Sequence, residues 1–385
     1  FSYNDLAAEV IYPFIGDFMS KDELISLISK SYSNFRSNDV VKISDLGNLK
    51  VLELFHGPTL AFKDYAVRFM AKCMEKLLDK ELTLLVATSG DTGSAVANGF
   101  LGLNGINVII LYPSNRVSDI QEKQLTTYGR NVSALEVTGS FDDCQRMVKK
   151  AFSDETLKGE LNLTSANSIN IVRLLPQSIY YAWAWKKLNT RNLPIVFSIP
   201  CGNLGNITGG IIAKRMGVPI EKLIASTNAN DVFPHFLENG EFFPKPSIQT
   251  ISNSMDVGNP NNIERIISLY DNDIKKIRKD LIGWSFSDKD IKEKIKEIKL
   301  KKDYVLDPHT AVGLLGVQKY NSIQKKDLCK IVLATAHPAK FGDVVEPIIE
   351  KKIKLPIDLL NTMKKQKKSI KIPANYSALK EFLIN

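Results

Sequence analysis

Cysteine and histidine are scarce in this chain, with four of each in 385 residues. Cys73, Cys144, Cys201 and Cys329 lie far apart and form no CxxC pair. That argues against a zinc site and a disulfide scaffold, and fits a reducing compartment. His56, His235, His309 and His337 are equally scattered, with no metal-ligand spacing. No stretch approaches the roughly 18 consecutive apolar residues of a membrane span, and no signal peptide is visible. The expectation is a cytoplasmic protein with no membrane segment and no metal. The first residue is Phe1 rather than Met, so a start upstream of Phe1 is expected.

Aromatic residues are missing where a nucleic-acid surface would need them. The net charge is +9, but it is concentrated. Residues 347–385 carry nine lysines against Glu350, Asp358 and Glu381, and residues 271–303 carry eleven basic and eight acidic side chains. These two segments hold the whole excess. The run Lys364–Lys368 has no interleaved aromatics for base stacking. A solvated, lysine-rich surface is the expectation, with no nucleic-acid partner.

The apolar fraction of 44% is ordinary for a globular protein, and the length suits two or three domains. Short apolar runs read as buried strands at Leu82–Thr88, Val108–Tyr112, Val132–Val137, Ile195–Ile199, Leu223–Ser226 and Ile331–Ala334. Helical patterns lie among them at Asp64–Leu78, Gly93–Leu103, Ser118–Tyr128, Asp142–Ser153, Ile169–Leu188 and Asn206–Met216. Lys289–Lys302 reads as an amphipathic surface helix. Strands separated by helices of this length imply parallel sheets covered on both faces. The expected fold is therefore α/β, with two doubly wound parallel-sheet domains, a cleft between them and an N-terminal helical extension. The expected division is an extension at 1–50, a smaller domain at 51–175, a larger one at 176–345 and a basic segment at 346–385.

Four segments carry chemistry. In LFHGPTLAFKD (Leu54–Asp64), Lys63 stands between an apolar run and an acid. A lysine in apolar surroundings loses proton affinity, because burial disfavours the ammonium. A neutral amine is what condenses with a carbonyl cofactor. Taken alone, the pattern is a weak signal, since most such lysines simply snorkel to solvent. SIPCGNLGNITGG (Ser198–Gly210) follows a strand and opens a helix, so its N–H groups and the helix dipole suit a phosphate. A plain glycine-rich connector is the alternative. A dinucleotide fold is a third reading, disfavoured because the spacing is not GxGxxG. ATSGDTGSA (Ala87–Ala95) presents Thr88, Ser89, Thr92 and Ser94 hydroxyls and suits a carboxylate, or is a capped helix start with Asp91 or Thr92 as the cap. SANSINIVR (Ser165–Arg173) places Asn167, Ser168, Asn170 and Arg173 at the start of a long helix. The arginine suits bidentate anion binding, or is a surface residue beside a helix cap.

Together these segments resemble the threonine synthases, pyridoxal-phosphate enzymes of the tryptophan-synthase-β-like fold, in the branch shared by many bacteria and fungi. The resemblance extends from near Ala8 to the C-terminus and takes in LATAHPAKF (Leu333–Phe341) and ILYPSNRVSDIQEKQ (Ile110–Gln124). Arg116, Cys201 and Leu204 stand where lysine, serine and phenylalanine are frequent in the family, and members usually carry a longer N-terminal segment. The resemblance implies pyridoxal 5'-phosphate as cofactor, with Lys63 forming the Schiff base and carrying protons. Gly202, Asn203, Leu204, Gly205 and Asn206 would cradle the cofactor phosphate, and Thr335 would bond the pyridine nitrogen. Asp91 would lie near the phenolic oxygen. Thr88, Ser89, Asp91 and Thr92 would meet the substrate's carboxylate end, and Asn167, Ser168, Asn170 and Arg173 its phosphate. The implied reaction converts O-phospho-L-homoserine and water to L-threonine and phosphate, in a monomer or homodimer. Two rivals remain at this point. One is another lyase of the same fold, such as a serine or threonine dehydratase. The other is a binding protein that keeps the fold without activity.

Overall fold

Apolar runs long enough to be buried on both faces organise the chain. The computed structural model describes residues 2–37, 39–188, 193–324 and 326–384. Its strands are β1 (Lys42–Asp45), β2 (Lys50–Glu53), β3 (Leu82–Ala87), β4 (Ile106–Pro113), β5 (Val132–Thr138), β6 (Leu163–Ser165), β7 (Ile195–Pro200), β8 (Ile220–Thr227), β9 (Leu281–Ser285), β10 (Cys329–Ala334) and β11 (Ile370–Pro373). Among the described residues they form a five-stranded sheet in the order β11-β5-β4-β3-β6 and a six-stranded sheet in the order β1-β2-β10-β7-β8-β9. Every pairing is parallel except that of β1 with β2.

The period of two along each strand sends alternate side chains to opposite faces. Leu84 and Val86 of β3 pack with Val108 and Ile110 of β4 on one side of the first sheet. Leu85, Ala87, Ile109 and Leu111 pack on the other. In β7, Ile195, Phe197 and Ile199 join the largest core cluster, and Val196 turns to the opposite face. Both faces being covered explains why these strands read as continuous apolar runs.

The six expected strands are all present, each within three residues of its expected bounds. The expected division set Val51–Glu53 with the first sheet and kept 346–385 apart from both. Hydrogen bonding instead places β2 beside β10 in the second sheet and β11 beside β5 in the first. The stretch expected as a helix over Ile169–Leu188 divides into a 3₁₀ turn at Ile171–Arg173 and a helix at Leu175–Leu188. Pro176 is the reason: it has no N–H to continue a helix through Val172, but is tolerated in a first turn. The N-terminal helices Tyr3–Ile15 and Lys21–Tyr32 are each opened by a serine-acid capping box, at Ser2/Asp5 and Ser20/Glu23.

The helix Pro308–Ile323 packs on the second sheet through glycine. Ser198 Oγ donates to Gly313 O at 2.6 Å, and a Cβ at Gly316 would fall 1.9 Å from Ser226 Oγ. Gly316→Ala should therefore lower stability by about 1–3 kcal/mol through overpacking. A thermal midpoint equal to that of the unaltered protein would show that the helix can shift to admit a methyl group.

Candidate active site

The site is assembled where the carboxyl ends of the strands from both sheets meet, the usual place for ligands in open α/β sheets. Beyond β10, the backbone of Thr335–His337 pairs with Leu60–Phe62. Phe62 N donates to Thr335 O at 2.9 Å and His337 N to Leu60 O at 3.0 Å, with an antiparallel bridge between Ala61 and Ala336. This strap delivers Lys63 to the first position of the helix Lys63–Leu77. The strap's upstream end is pinned by buried Glu53, which accepts from Tyr304 at 3.0 Å and lies 2.8 Å from His56 Nε2. Burial opposes the charge on Glu53, but His56, Ser44 and Lys42 outweigh it and hold the carboxyl near 2.

Lys63 lines the cleft, partly exposed, with Nζ 4.2 Å from the centre of the Phe62 ring. Burial depresses its amine to about 7, helped by the Arg173 guanidinium and opposed by Asp91. Near neutral pH a large fraction is the free amine that attacks a carbonyl.

Facing it is the turn from β7 into the helix Gly205–Arg215. Leu204 caps that helix in a left-handed conformation, φ +59°, with no side-chain cap on the first N–H groups. Asn206 Oδ1 accepts from Tyr180 Oη at 2.6 Å and Tyr181 Oη at 2.8 Å, which fixes the amide. Its Nδ2 is buried without a partner. Asn203 Oδ1 accepts from Asn261 N at 2.7 Å, and Asn262 Nδ2 donates to Asn203 O and Ser168 Oγ at 2.8 and 2.9 Å. Gly202, Asn203, Leu204, Gly205, Asn206 and Thr335 all line the same cleft as Lys63. An orphaned amide donor, uncapped helix N–H groups and a free amine together fit a phosphorylated aldehyde such as pyridoxal phosphate.

The remaining expected residues separate into two groups. Thr88, Ser89, Asp91, Thr92, Asn167 and Ser168 line the cleft; Asn170 and Arg173 do not. Thr88 Oγ1 accepts from Gly90 N and Gly93 N at 3.0 and 2.8 Å, so its hydroxyl shapes the loop. Asn167 spends its amide on Ala87, accepting from N at 3.1 Å and donating to O at 2.6 Å. Asn170 caps the 3₁₀ turn through Val172 N and donates to Ser165 O. Arg173 is only 1% exposed, and its Nη1 donates to Ala166 O. Its Nε is buried without a partner, and its charge reaches Lys63. The surface-arginine alternative fails on that burial.

Sequence reasoning missed His309, Ser254 and Lys340. His309 and Ser254 line the cleft. His309 Nε2 accepts from Ser254 N at 3.3 Å, so its proton sits on Nδ1, 2.8 Å from the buried Asp307 carboxylate. The only local signal is DPHT, which also reads as a helix cap, and Asp307 is one.

Comparison with known proteins agrees with this geometry. Residues 42–334 match the family model described as pyridoxal-phosphate dependent enzyme, and residues 310–383 match that described as threonine synthase, C-terminal. The threonine synthase of Buchnera aphidicola from Acyrthosiphon pisum is 45% identical over 387 residues, covering 98% of this chain and 87% of the relative. The crystal structure of threonine synthase from Escherichia coli superposes with a TM-score of 0.93 at 39% identity, over 100% of this chain and 88% of that one. A PLP-bound threonine synthase from Brucella melitensis superposes at 0.90 with 34% identity, over 99% and 88%. The fold and cleft are those of a pyridoxal-phosphate-dependent enzyme. Within that class, the chain belongs to the threonine synthase family.

The cradle is tightly supported from behind. A Cβ at Gly202 would lie 2.9 Å from Met255 Cα and 3.1 Å from Ser254 O. Because backbone atoms yield little, Gly202→Ala should displace the turn and weaken cofactor binding about tenfold or more. Fluorescence titration of the apoprotein with pyridoxal phosphate measures this, and unchanged affinity would remove the turn from the cradle.

Proposed function

We propose that this cleft converts O-phospho-L-homoserine and water to L-threonine and phosphate. The observation that carries the assignment of roles is the half-neutral Lys63 amine, set across one cleft from the uncapped helix at Gly205. The cofactor, when bound, supplies an electron sink for negative charge at the substrate's Cα. The chain supplies the rest. Lys63 holds the cofactor covalently and is the group placed to take and return protons, its pKa being near the working pH. Asn206 Nδ2 and the N–H groups of the Gly202–Asn206 turn hold the cofactor phosphate, and Thr335 meets the pyridine nitrogen. Asp91 borders the cofactor. Ser89, Thr92 and the surrounding N–H groups receive the substrate carboxylate, with Thr88 shaping their loop.

Arg173 provides positive charge for the substrate phosphate from behind the cleft lining. Asn167 and Asn170 act by holding the Ser165–Arg173 segment, since their amides are committed to backbone. We place the protein in the cytoplasm as a monomer or homodimer, acting on a small molecule without nucleic acid. All four cysteines are free, which suits that compartment. No helix of the described residues is long and apolar enough to cross a membrane.

Product analysis with pyridoxal phosphate and O-phospho-L-homoserine should give threonine and phosphate in equal amounts. Phosphate with 2-oxobutanoate would establish the dehydratase-like rival instead. Lys63→Ala should abolish turnover and the covalent cofactor bond, and an active variant would overturn the role of Lys63. Arg173→Ala should raise KM for the phosphorylated substrate about tenfold or more, as expected for loss of a desolvated positive charge behind the cleft wall. Cofactor affinity should change far less, and equal losses in both would reassign Arg173 to the cofactor.

A further inference from the structure

One charged group behind the cleft has no part in the roles above. Lys340 lies in the 3₁₀ turn Pro338–Phe341 and is fully buried. A buried ammonium persists only when it is paired and hydrogen-bonded. Its Nζ is 2.7 Å from Asp91 Oδ1 and donates to Thr59 O at 3.0 Å. Asp91 Oδ1 also accepts from Gln121 Nε2 at 3.0 Å. Burial works against the Asp91 charge, but Lys340 and Gln121 overcome it and hold the carboxyl below its usual range.

The other end of the contact leads to Lys63. Thr59, whose carbonyl accepts from Lys340, donates through N and Oγ1 to Asp64 at 2.8 and 2.7 Å. Asp64 is the residue directly after Lys63 and is itself fully buried. Lys340 therefore touches both the strap that carries Lys63 and the carboxylate that borders the cleft beside it. The ionisable groups around the pair are Lys63, Asp64 and His309.

We propose that Lys340 is a positioning residue, whose ammonium fixes Asp91 as an oriented carboxylate at the cleft wall and ties that carboxylate to the turn presenting Lys63. The pair brings no net charge to the cofactor's surroundings, and it holds the Asp91 carboxylate in one orientation at the cleft wall. This inference rests on Lys63 being the cofactor lysine.

The test uses holoenzyme carrying Lys340→Met, Asp91→Asn or both. Three quantities are followed: kcat and KM, the pH midpoint of the cofactor absorbance, and the thermal midpoint. Lys340→Met leaves a buried carboxylate unpaired, an arrangement that is strongly unfavourable. It should lower kcat about tenfold or more and move the absorbance midpoint, while the cofactor remains covalently attached. The double variant has no unpaired charge, so it should regain thermal stability and an absorbance midpoint close to that of the unaltered enzyme. Its kcat should stay low, because the oriented carboxylate is gone. Should Lys340→Met not fold, the double variant carries the test alone. An unchanged kcat in either Lys340→Met or the double variant would overturn the proposal. So would a loss confined to thermal stability, with the absorbance midpoint unmoved in Lys340→Met. Loss of the covalent cofactor bond only in Lys63→Ala keeps this test separate from the role of Lys63.

Discussion

The cleft depends on one backbone pairing, between Leu60–Phe62 and Thr335–His337. These segments are remote in sequence, and their hydrogen bonds bring the Lys63 amine to the end of β10. Without the pairing, Lys63 would begin a helix on the surface of the first sheet, and Thr335 would end a strand of the second. With it, an amine from one sheet's helix layer stands beside a hydroxyl from the other sheet. The strap holds Leu60 at φ +60°, an uncommon conformation for a non-glycine residue. Surrounding structure compensates: Leu60 packs with Ala339 and Leu359, and Arg36 donates to Gly57 O at 2.7 Å and pairs with Asp358. The basic C-terminal segment thus helps to shape the site from a distance, through Leu359 and Asp358 rather than through its lysines.

Charge in the cleft is governed by a contest between desolvation and pairing. Lys63 and Arg173 are both deprived of water, and each loses proton affinity to burial. Their outcomes differ in kind. An amine pushed to about 7 can exist neutral in useful amounts, whereas a guanidinium remains charged throughout the physiological range. One cation is thus fit to serve as a nucleophile and proton carrier, and the other stays a fixed charge. Asp91 reaches the opposite balance to Lys63: its desolvation is outweighed by Lys340 and Gln121. Desolvation therefore yields three different chemical states, set by the partners each group has.

Much of this was legible in the sequence, for identifiable reasons. LTLLVA, IVFSIP and IVLA announce strands because both faces are buried, so only Thr83 and Ser198 break their apolar character. Strands β6 and β11 escaped notice because three or four residues at a sheet edge need no apolar run. β2 was hidden because it continues directly into the strap motif. At the site, Lys63 and the Gly202–Asn206 turn were found because each sits in an unusual local pattern. Lys340 and His309 have no such pattern. A lysine after Pro-Ala and a histidine after Asp-Pro look like an ordinary turn and an ordinary cap, and only tertiary packing buries them beside Asp91 and Ser254. Asn167 and Asn170 show the converse. Their composition suits an anion, but geometry spends their amides on the backbone.

The turn proposed to cradle the cofactor phosphate shows how little side-chain chemistry such a site needs. Leu204 replaces the phenylalanine frequent in the family, yet its side chain is turned inward and only 2% exposed. What the position contributes is its left-handed backbone, which turns the chain from β7 so that the next helix starts with its N–H groups toward the cleft. The cost of that conformation in a non-glycine residue, about 1–2 kcal/mol, is offset by burying the leucine in the main core cluster. Specific donation then falls to Asn206. With both tyrosine hydroxyls occupying Oδ1, the amide has one orientation, and Nδ2 is left as a donor fixed before any ligand arrives. A buried donor without a partner is unfavourable in the free protein. Binding a phosphate relieves that penalty, so part of the affinity is built into the protein before the cofactor enters.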